Sequence, residues 1–171
     1  PFNYVGVDAT SYYVEMAKKA WEYEVSKKLN LSSANFIQGD IFNIPLDDKT
    51  ASIVMCNNVL LHLPSIEKPI SELIRVSCKY VVIRMLLGNN SFRIMQSYEP
   101  ETYDSQGNPR NFNFHNIYSE RYISKLLDEN KEIESYEFIF DNDFDPDNIN
   151  ASAKNYIKEP TNATKVINKM Q

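Results

Sequence analysis

The chain has 171 residues, 43% of them hydrophobic, with 18 basic against 23 acidic side chains and a formal net charge of −5. That length suits one domain with a sizeable core, and the lack of a basic block argues against a partner presenting a phosphate backbone, so a small molecule or a protein is expected rather than nucleic acid. The longest apolar run, Tyr80 to Leu87 around Arg84, falls far short of the roughly 20 residues a membrane span needs, and no basic-then-apolar leader opens the chain.

Phe2 to Val7 is a β-branched and aromatic run ending at Asp8, which predicts a strand. Thr10 or Ser11 can cap a helix whose Tyr13, Met16, Ala17, Ala20 and Trp21 recur at helical spacing. Ala34 to Gln38 predicts a second strand, and Asp40 to Lys49 a loop holding Pro45 and an Asp-Asp-Lys turn. Ala51 to Cys56 predicts a third strand so short of polar residues that burial on both faces is expected. After Pro64, Ser65 is the expected cap of a helix with Glu67 in its first turn and Ile66, Ile70, Leu73 and Ile74 on one stripe, and Tyr80 to Leu87 follows as a fourth strand. This order is that of a doubly wound α/β protein, a mostly parallel sheet with helices on both faces.

Gly88 to Asn116 turns to Asn, Ser, Tyr, Pro and Gly without clear periodicity, as expected of a lid or acceptor segment. Ser119 then caps a helix with Tyr122, Ile123, Leu126 and Leu127 inward, and Ile133 to Phe140 alternates as a strand before the acidic stretch Asp141 to Asp145. Residues 1–146 therefore read as the core and 147–171 as a polar tail with at most a short helix near Thr164 to Met170. The two cysteines, Cys56 and Cys78, suit buried free thiols in a cytoplasmic protein better than a disulfide framework, and the sequons at Asn30, Asn89, Asn150 and Asn162 read as chance matches.

Three predicted strand ends carry Asp8, Asp40 and Asn57 with Asn58, on the side of such a sheet where ligands bind. Each has an ordinary structural role open to it: Asp8 as a cap, Asp40 as a turn acid, the asparagines as left-handed turn residues. Two acids at matching positions on neighbouring strands favour a shared ligand instead. His62, in an apolar frame, reads as structural, whereas His115 within Phe112-Asn113-Phe114-His115 is the candidate base, since an imidazole with a pKa near about 6.5 accepts a proton at neutral pH. Cys56, Cys78, His62 and His115 lack metal-ligand spacing, so no metal is expected.

A nucleotide site of this type begins with a strand and a glycine-rich turn. Here the four glycines, Gly6, Gly39, Gly88 and Gly107, form no such pattern, and the chain opens on what reads as the second strand. The expectation is a fragment whose first strand is missing.

With these residues in view the chain resembles the class I S-adenosylmethionine-dependent methyltransferases, a Rossmann-like family, and within them the small-molecule enzymes of sugar and secondary metabolism. The resemblance runs from about Tyr4 to Leu87. Val5-Gly6-Val7-Asp8 is similar to the family segment whose acid binds both ribose hydroxyls, which implies that role for Asp8 and a place against the adenine for Ala9. A carboxylate suits two vicinal hydroxyls because it accepts two hydrogen bonds. Gln38-Gly39-Asp40-Ile41 resembles the third-strand motif, implying that Asp40 accepts from the adenine amino group and Ile41 packs on the ring. Ser52 to Pro64 resembles the fourth-strand motif, implying that Cys56, Asn57 and Asn58 edge the methionine moiety. The family's glycine-rich turn is absent, and its Asp at the start of the fourth strand reads Ala51-Ser52. Asn116 to Ser119 resembles the segment before the last helix of some sugar-pathway members.

Two other readings stand beside this one. An NAD-dependent sugar-nucleotide enzyme of the short-chain dehydrogenase type would need a Tyr-x-x-x-Lys pair after the fifth strand. That spacing occurs only from Tyr23 to Lys27, and Tyr122 to Lys125 is one residue short. A non-catalytic Rossmann-like remnant is the third.

Overall fold

The computed structural model describes residues 2–23 and 31–140. It divides into two compact units, one built from residues 1–85 and 95–116, the other from 86–94 and the residues from 117 onward. The first unit holds β1 (Phe2–Asp8), α1 (Ser11–Tyr23), β2 (Leu31–Gln38), β3 (Ala51–Asn57), a 3₁₀ turn (Leu60–His62), α2 (Glu67–Val76) and β4 (Ser77–Arg84). β1 pairs parallel with β2, and β3 pairs parallel with β4, each across a helical or looped crossover. The chain is thus α/β with small parallel sheets, and no ladder joins the two pairs among the described residues.

The order of elements matches the prediction; the burial does not. Ile53 and Met55 of β3 are 56% and 64% exposed, and their register neighbours Tyr80 and Val82 on β4 are exposed too. α2 covers one face of this pair, and no described element covers the other, so β3 is half-buried rather than sandwiched. The buried line of α1 also differs from the expected one. Val14 is buried, with Ala17 and Trp21 half-buried, whereas Tyr13, Met16 and Ala20 are exposed. Positions i, i+3 and i+7 face the sheet, and the larger apolar residues fall beside that stripe.

α2 carries the densest packing. Leu60 and Ile66 are fully buried, and Ile70, Leu73, Ile74 and Val76 join them. Ser65 does not cap this helix: the cap position falls to Ile66, whose N–H donates to the Glu67 carboxylate at 3.1 Å. Burying the isoleucine outweighs a serine cap worth about 1 kcal/mol. β4 begins at Ser77 and ends at Arg84, so Cys78 lies in the strand and is exposed, while Cys56 is buried as expected.

The excursion after β4 is more ordered than its composition suggested. β6 (Met95–Ser97) and β7 (Phe112–Phe114) form an antiparallel hairpin in the first unit, with Phe112 and Phe114 edge to face at 5.1 Å. In the second unit β5 (Leu87–Gly88) pairs parallel with β8 (Tyr118–Ser119), which leads into α3 (Glu120–Asp128). Ser119 caps α3 as predicted, its hydroxyl accepting from the Tyr122 N–H, with Ile123 buried and Leu126 and Leu127 half-buried. The expected strand over 133–140 is irregular chain with Ile139 and Phe140 exposed. Alternation specifies a strand only where a partner strand pairs with it, and none of the described strands pairs with 133–140. The acidic stretch Asp141 to Asp145, the tail from 147, Lys27 and the sequons at Asn30, Asn150 and Asn162 lie outside the described residues. Among the described residues no helix is long and apolar enough to cross a membrane.

Candidate functional site

The carboxyl ends of β1 and β2 come together as one structural unit. Asp8 stands opposite Gln38 in the parallel register, and its carbonyl accepts from the Gly39 N–H at 2.9 Å. Gln38 Nε2 donates to the Ala9 carbonyl at 2.9 Å, tying the turn after β1 to the end of β2. Asp8 Oδ1 accepts from the Thr10 N–H at 2.7 Å, and Asp40 Oδ1 from the Phe42 N–H at 2.9 Å. Both carboxylates are therefore held by their own turns through one oxygen. Both are exposed, with the remaining lone pairs directed to solvent.

Gly39 makes this junction possible. A Cβ there would fall 2.5 Å from Pro45 Cδ and 2.8 Å from Val7 Cγ1, so the loop after Asp40 folds back to a distance only glycine permits. A buried charge network anchors the same loop. Glu72, on the packed face of α2 and 3% exposed, accepts from the Ile44 N–H at 2.9 Å, from Lys68 Nζ at 2.9 Å and from Arg75 Nη2 at 2.8 Å. Arg75 also donates to the carbonyls of Ile44 and Leu46 and to Asp48 Oδ1. The Arg75 guanidinium holds the Glu72 carboxyl down at about 2, against the opposing effect of its burial. Ile41 is half-buried in the anchored loop.

The end of β3 forms a second cluster. Asn57 and Asn58 are exposed; Asn58 adopts φ 57°, and its N–H donates to the Arg84 carbonyl at 2.8 Å. Asparagine tolerates this left-handed turn better than most residues, which accounts for its presence with or without a ligand. Cys56 is buried, and burial pushes its thiol up, only partly offset by the N–H groups of Val59 and Leu60. Of the three residues, then, only the asparagines present side chains to solvent.

His115 lies on this second cluster through a partner that sequence reasoning set aside. The rings of His62 and His115 meet edge to face with centroids 4.9 Å apart. His62 Nδ1 is 2.8 Å from the Phe114 carbonyl oxygen, the Asn116 N–H donates to the Leu61 carbonyl at 2.9 Å, and Asn116 Nδ2 donates to the Leu63 carbonyl at 2.8 Å. Burial, and then the neighbouring His62, hold His115 below the ordinary histidine range.

The structure thus groups Asp8 and Ala9 with Asp40 and Ile41, keeps Cys56, Asn57 and Asn58 together at the end of β3, and sets His115 against His62 of the 3₁₀ turn that follows them. A groove of about 360 Å³ between β1 and α1 includes Asp8 and none of the other predicted residues. A larger cavity of about 500 Å³ in the second unit, beside Ser91, Ser119, Arg121 and Lys125, includes none. Sequence reasoning missed Gln38 and Glu72. Glu72 falls off the Ile66, Ile70, Leu73 and Ile74 stripe at helical spacing, so the pattern carried no signal for its burial.

Comparison with known proteins adds a family. A model described as a methyltransferase domain matches residues 1–132. No curated protein matches. Among solved structures, an S-adenosylmethionine-dependent methyltransferase from Methanosarcina mazei is 14% identical over 74% of this chain and 67% of its own, with a TM-score of 0.48. A protein from Pyrococcus horikoshii is 21% identical over 82% of this chain and 68% of its own at 0.47. The YcgJ protein from Bacillus subtilis is 15% identical over 66% of this chain and 78% of its own at 0.39.

Proposed function

Because the chain belongs to the methyltransferase-domain family, whose methyl donor is S-adenosylmethionine, we propose that it transfers a methyl group to a small-molecule acceptor, with Asp8, Ala9, Asp40 and Ile41 holding the nucleoside and Cys56, Asn57 and Asn58 edging the methionine. The observation that carries this reading is the junction of β1 and β2. It presents two exposed carboxylates from adjacent parallel strand ends, each with one oxygen already fixed by its own turn. The chemistry of that donor set fits the group: acceptor-only carboxylates suit vicinal hydroxyls and an amino group. Cys56 would contribute backbone rather than its buried thiol.

The cofactor, when bound, supplies an electrophilic methyl on a sulfonium sulfur. The chain's own task is alignment, for which the strand ends and anchored loop provide fixed supports, and a base, for which the His115 region with its neighbour His62 is the candidate, is needed only where the acceptor must lose a proton. We take β1–β2 and β3–β4 as two flanks of one doubly wound sheet whose joining first strand is not among the described residues; their parallel pairing without a shared ladder supports this. The segment 88–116 is the proposed acceptor side, with exposed Tyr98 and Tyr103 on the hairpin of the first unit. The free Cys56 and Cys78 fit a cytoplasmic setting.

Calorimetric titration with S-adenosylhomocysteine, with NAD as control, tests the reading. Saturable binding of the first with no response to NAD is expected; binding of NAD alone would replace methyl transfer with a dehydrogenase reading.

A further inference from the structure

We propose that His62 and His115 form a proton-accepting pair in which Nε2 of His62, rather than His115, takes the proton from a hydroxyl-bearing acceptor. The inference rests on the methyl-transfer reading and narrows its substrate class to acceptors that must lose a proton on methylation, hydroxyl compounds first among them.

The tautomer follows from one contact. His62 Nδ1 lies 2.8 Å from the Phe114 carbonyl oxygen, and a carbonyl only accepts, so Nδ1 must carry the hydrogen. The lone pair of the neutral ring is then on Nε2, the ring is exposed, and no hydrogen-bonding group among the described residues meets that nitrogen. His62 is the final residue of the 3₁₀ turn that starts two residues after Asn58, so it rides on the loop proposed to edge the cofactor. The backbone N–H and side-chain amide of Asn116, itself 2% exposed, donate to the Leu61 and Leu63 carbonyls and clamp the chain after β7 onto that turn.

His115 is the less suitable acceptor. It is more buried than His62, and its edge-to-face partner is the one charged group acting on it among the described residues. A proton on His62 would be felt directly by His115 across the 4.9 Å contact. The transfer is balanced in itself: the acceptor's O–H bond breaks, its proton joins Nε2, and the oxygen keeps the electron pair as an oxyanion. His62 becomes an imidazolium whose Nδ1–H still donates to Phe114, and it returns the proton to water. An amine that is already neutral could use its own lone pair without this step, whereas a hydroxyl could not.

The chain contains two histidines, so its imidazole nitrogens can be followed directly by NMR with ¹⁵N-histidine labelling. The wild type is compared with His62→Asn, which keeps a donor near the Nδ1 position and removes the base. The expected results are a protonated Nδ1 with bare Nε2 at His62, and a saturable shift of that Nε2 on adding phenol in the presence of S-adenosylhomocysteine. In His62→Asn the phenol response should be lost, S-adenosylhomocysteine affinity should stay within about twofold, and His115 should titrate at higher pH. A hydrogen on Nε2 of His62, or a phenol response that survives in His62→Asn, overturns the proposal. Failure of the wild type to bind S-adenosylhomocysteine overturns the methyl-transfer reading and with it the acceptor role, and the tautomer measurement, made without cofactor, tells the two failures apart.

Discussion

The two parallel pairs of the first unit are built on opposite terms. β3–β4 lies against α2, and the core of the unit gathers there around Leu60, Ile66, Ile70, Leu73 and Val76. β1–β2 has little of this: Phe2, Tyr4, Val5 and Val7 are exposed, and Val14 is the one buried apolar side chain of α1 among the described residues. Yet it is β1–β2 that presents Asp8 and Asp40. The difference teaches that the proposed cofactor end borrows its rigidity. The loop after Asp40 is held by Glu72 and Arg75 from α2, so the well-packed half of the unit positions a motif that belongs to the poorly packed half.

The strongest way to break this comparison is to remove the packing on the α2 side. Leu60→Ala or Ile66→Ala, each emptying a fully buried site, should cost about 2–5 kcal/mol in urea unfolding. A loss below about 1 kcal/mol would mean the core lies elsewhere.

Next comes the network that links the halves. Glu72→Gln should cost about 2–3 kcal/mol, below the full cost of breaking a buried pair because Arg75 is partly exposed. The pH dependence has a definite sign. The Glu72 carboxyl is held at about 2 in the folded chain and titrates near about 4.3 when unfolded. The unfolded state therefore binds more protons between those values, and the carboxylate's contribution, complete above the upper one, disappears as pH falls to the lower. Wild-type stability should drop across that window, and Glu72→Gln should flatten the drop; equal slopes would sever the link.

Gly39→Ala tests the junction itself. Displacing Pro45 or Val7 should cost about 1–2 kcal/mol, as overpacking does, and should weaken S-adenosylhomocysteine binding in calorimetry by moving Asp40. Asp8→Asn should be smallest in stability, within about 0.5 kcal/mol for an exposed side chain. Its effect should appear in affinity, about tenfold weaker for S-adenosylhomocysteine, or about 1.4 kcal/mol. Unchanged affinity would remove Asp8 from the site.

Much of this was legible in the residues. Strand order, the capped α3 and the acids at successive strand ends all follow from local patterns: β-branched runs, a serine before an amphipathic stripe, and an acid where an apolar run stops. The burial of β3 was not legible, because an unbroken apolar run states what could be covered and not what arrives to cover it. The strand expected at 133–140 failed for the same reason, since a ladder needs a partner edge that local sequence cannot supply.

By itself, then, the sequence determined the kinds and order of elements up to β4, the capped α3 and the residues at the strand ends, because backbone preference and hydrophobic periodicity act over a few neighbours. Only tertiary structure decided that Glu72 would hold Ile44 from 28 residues away, that Gly39 would lie under Pro45, and that His62 would meet His115 across 52 residues of chain from its anchor at Phe114. Such pairings arise where loops close, and their energies come from burial and hydrogen bonding between segments whose separation no local pattern encodes.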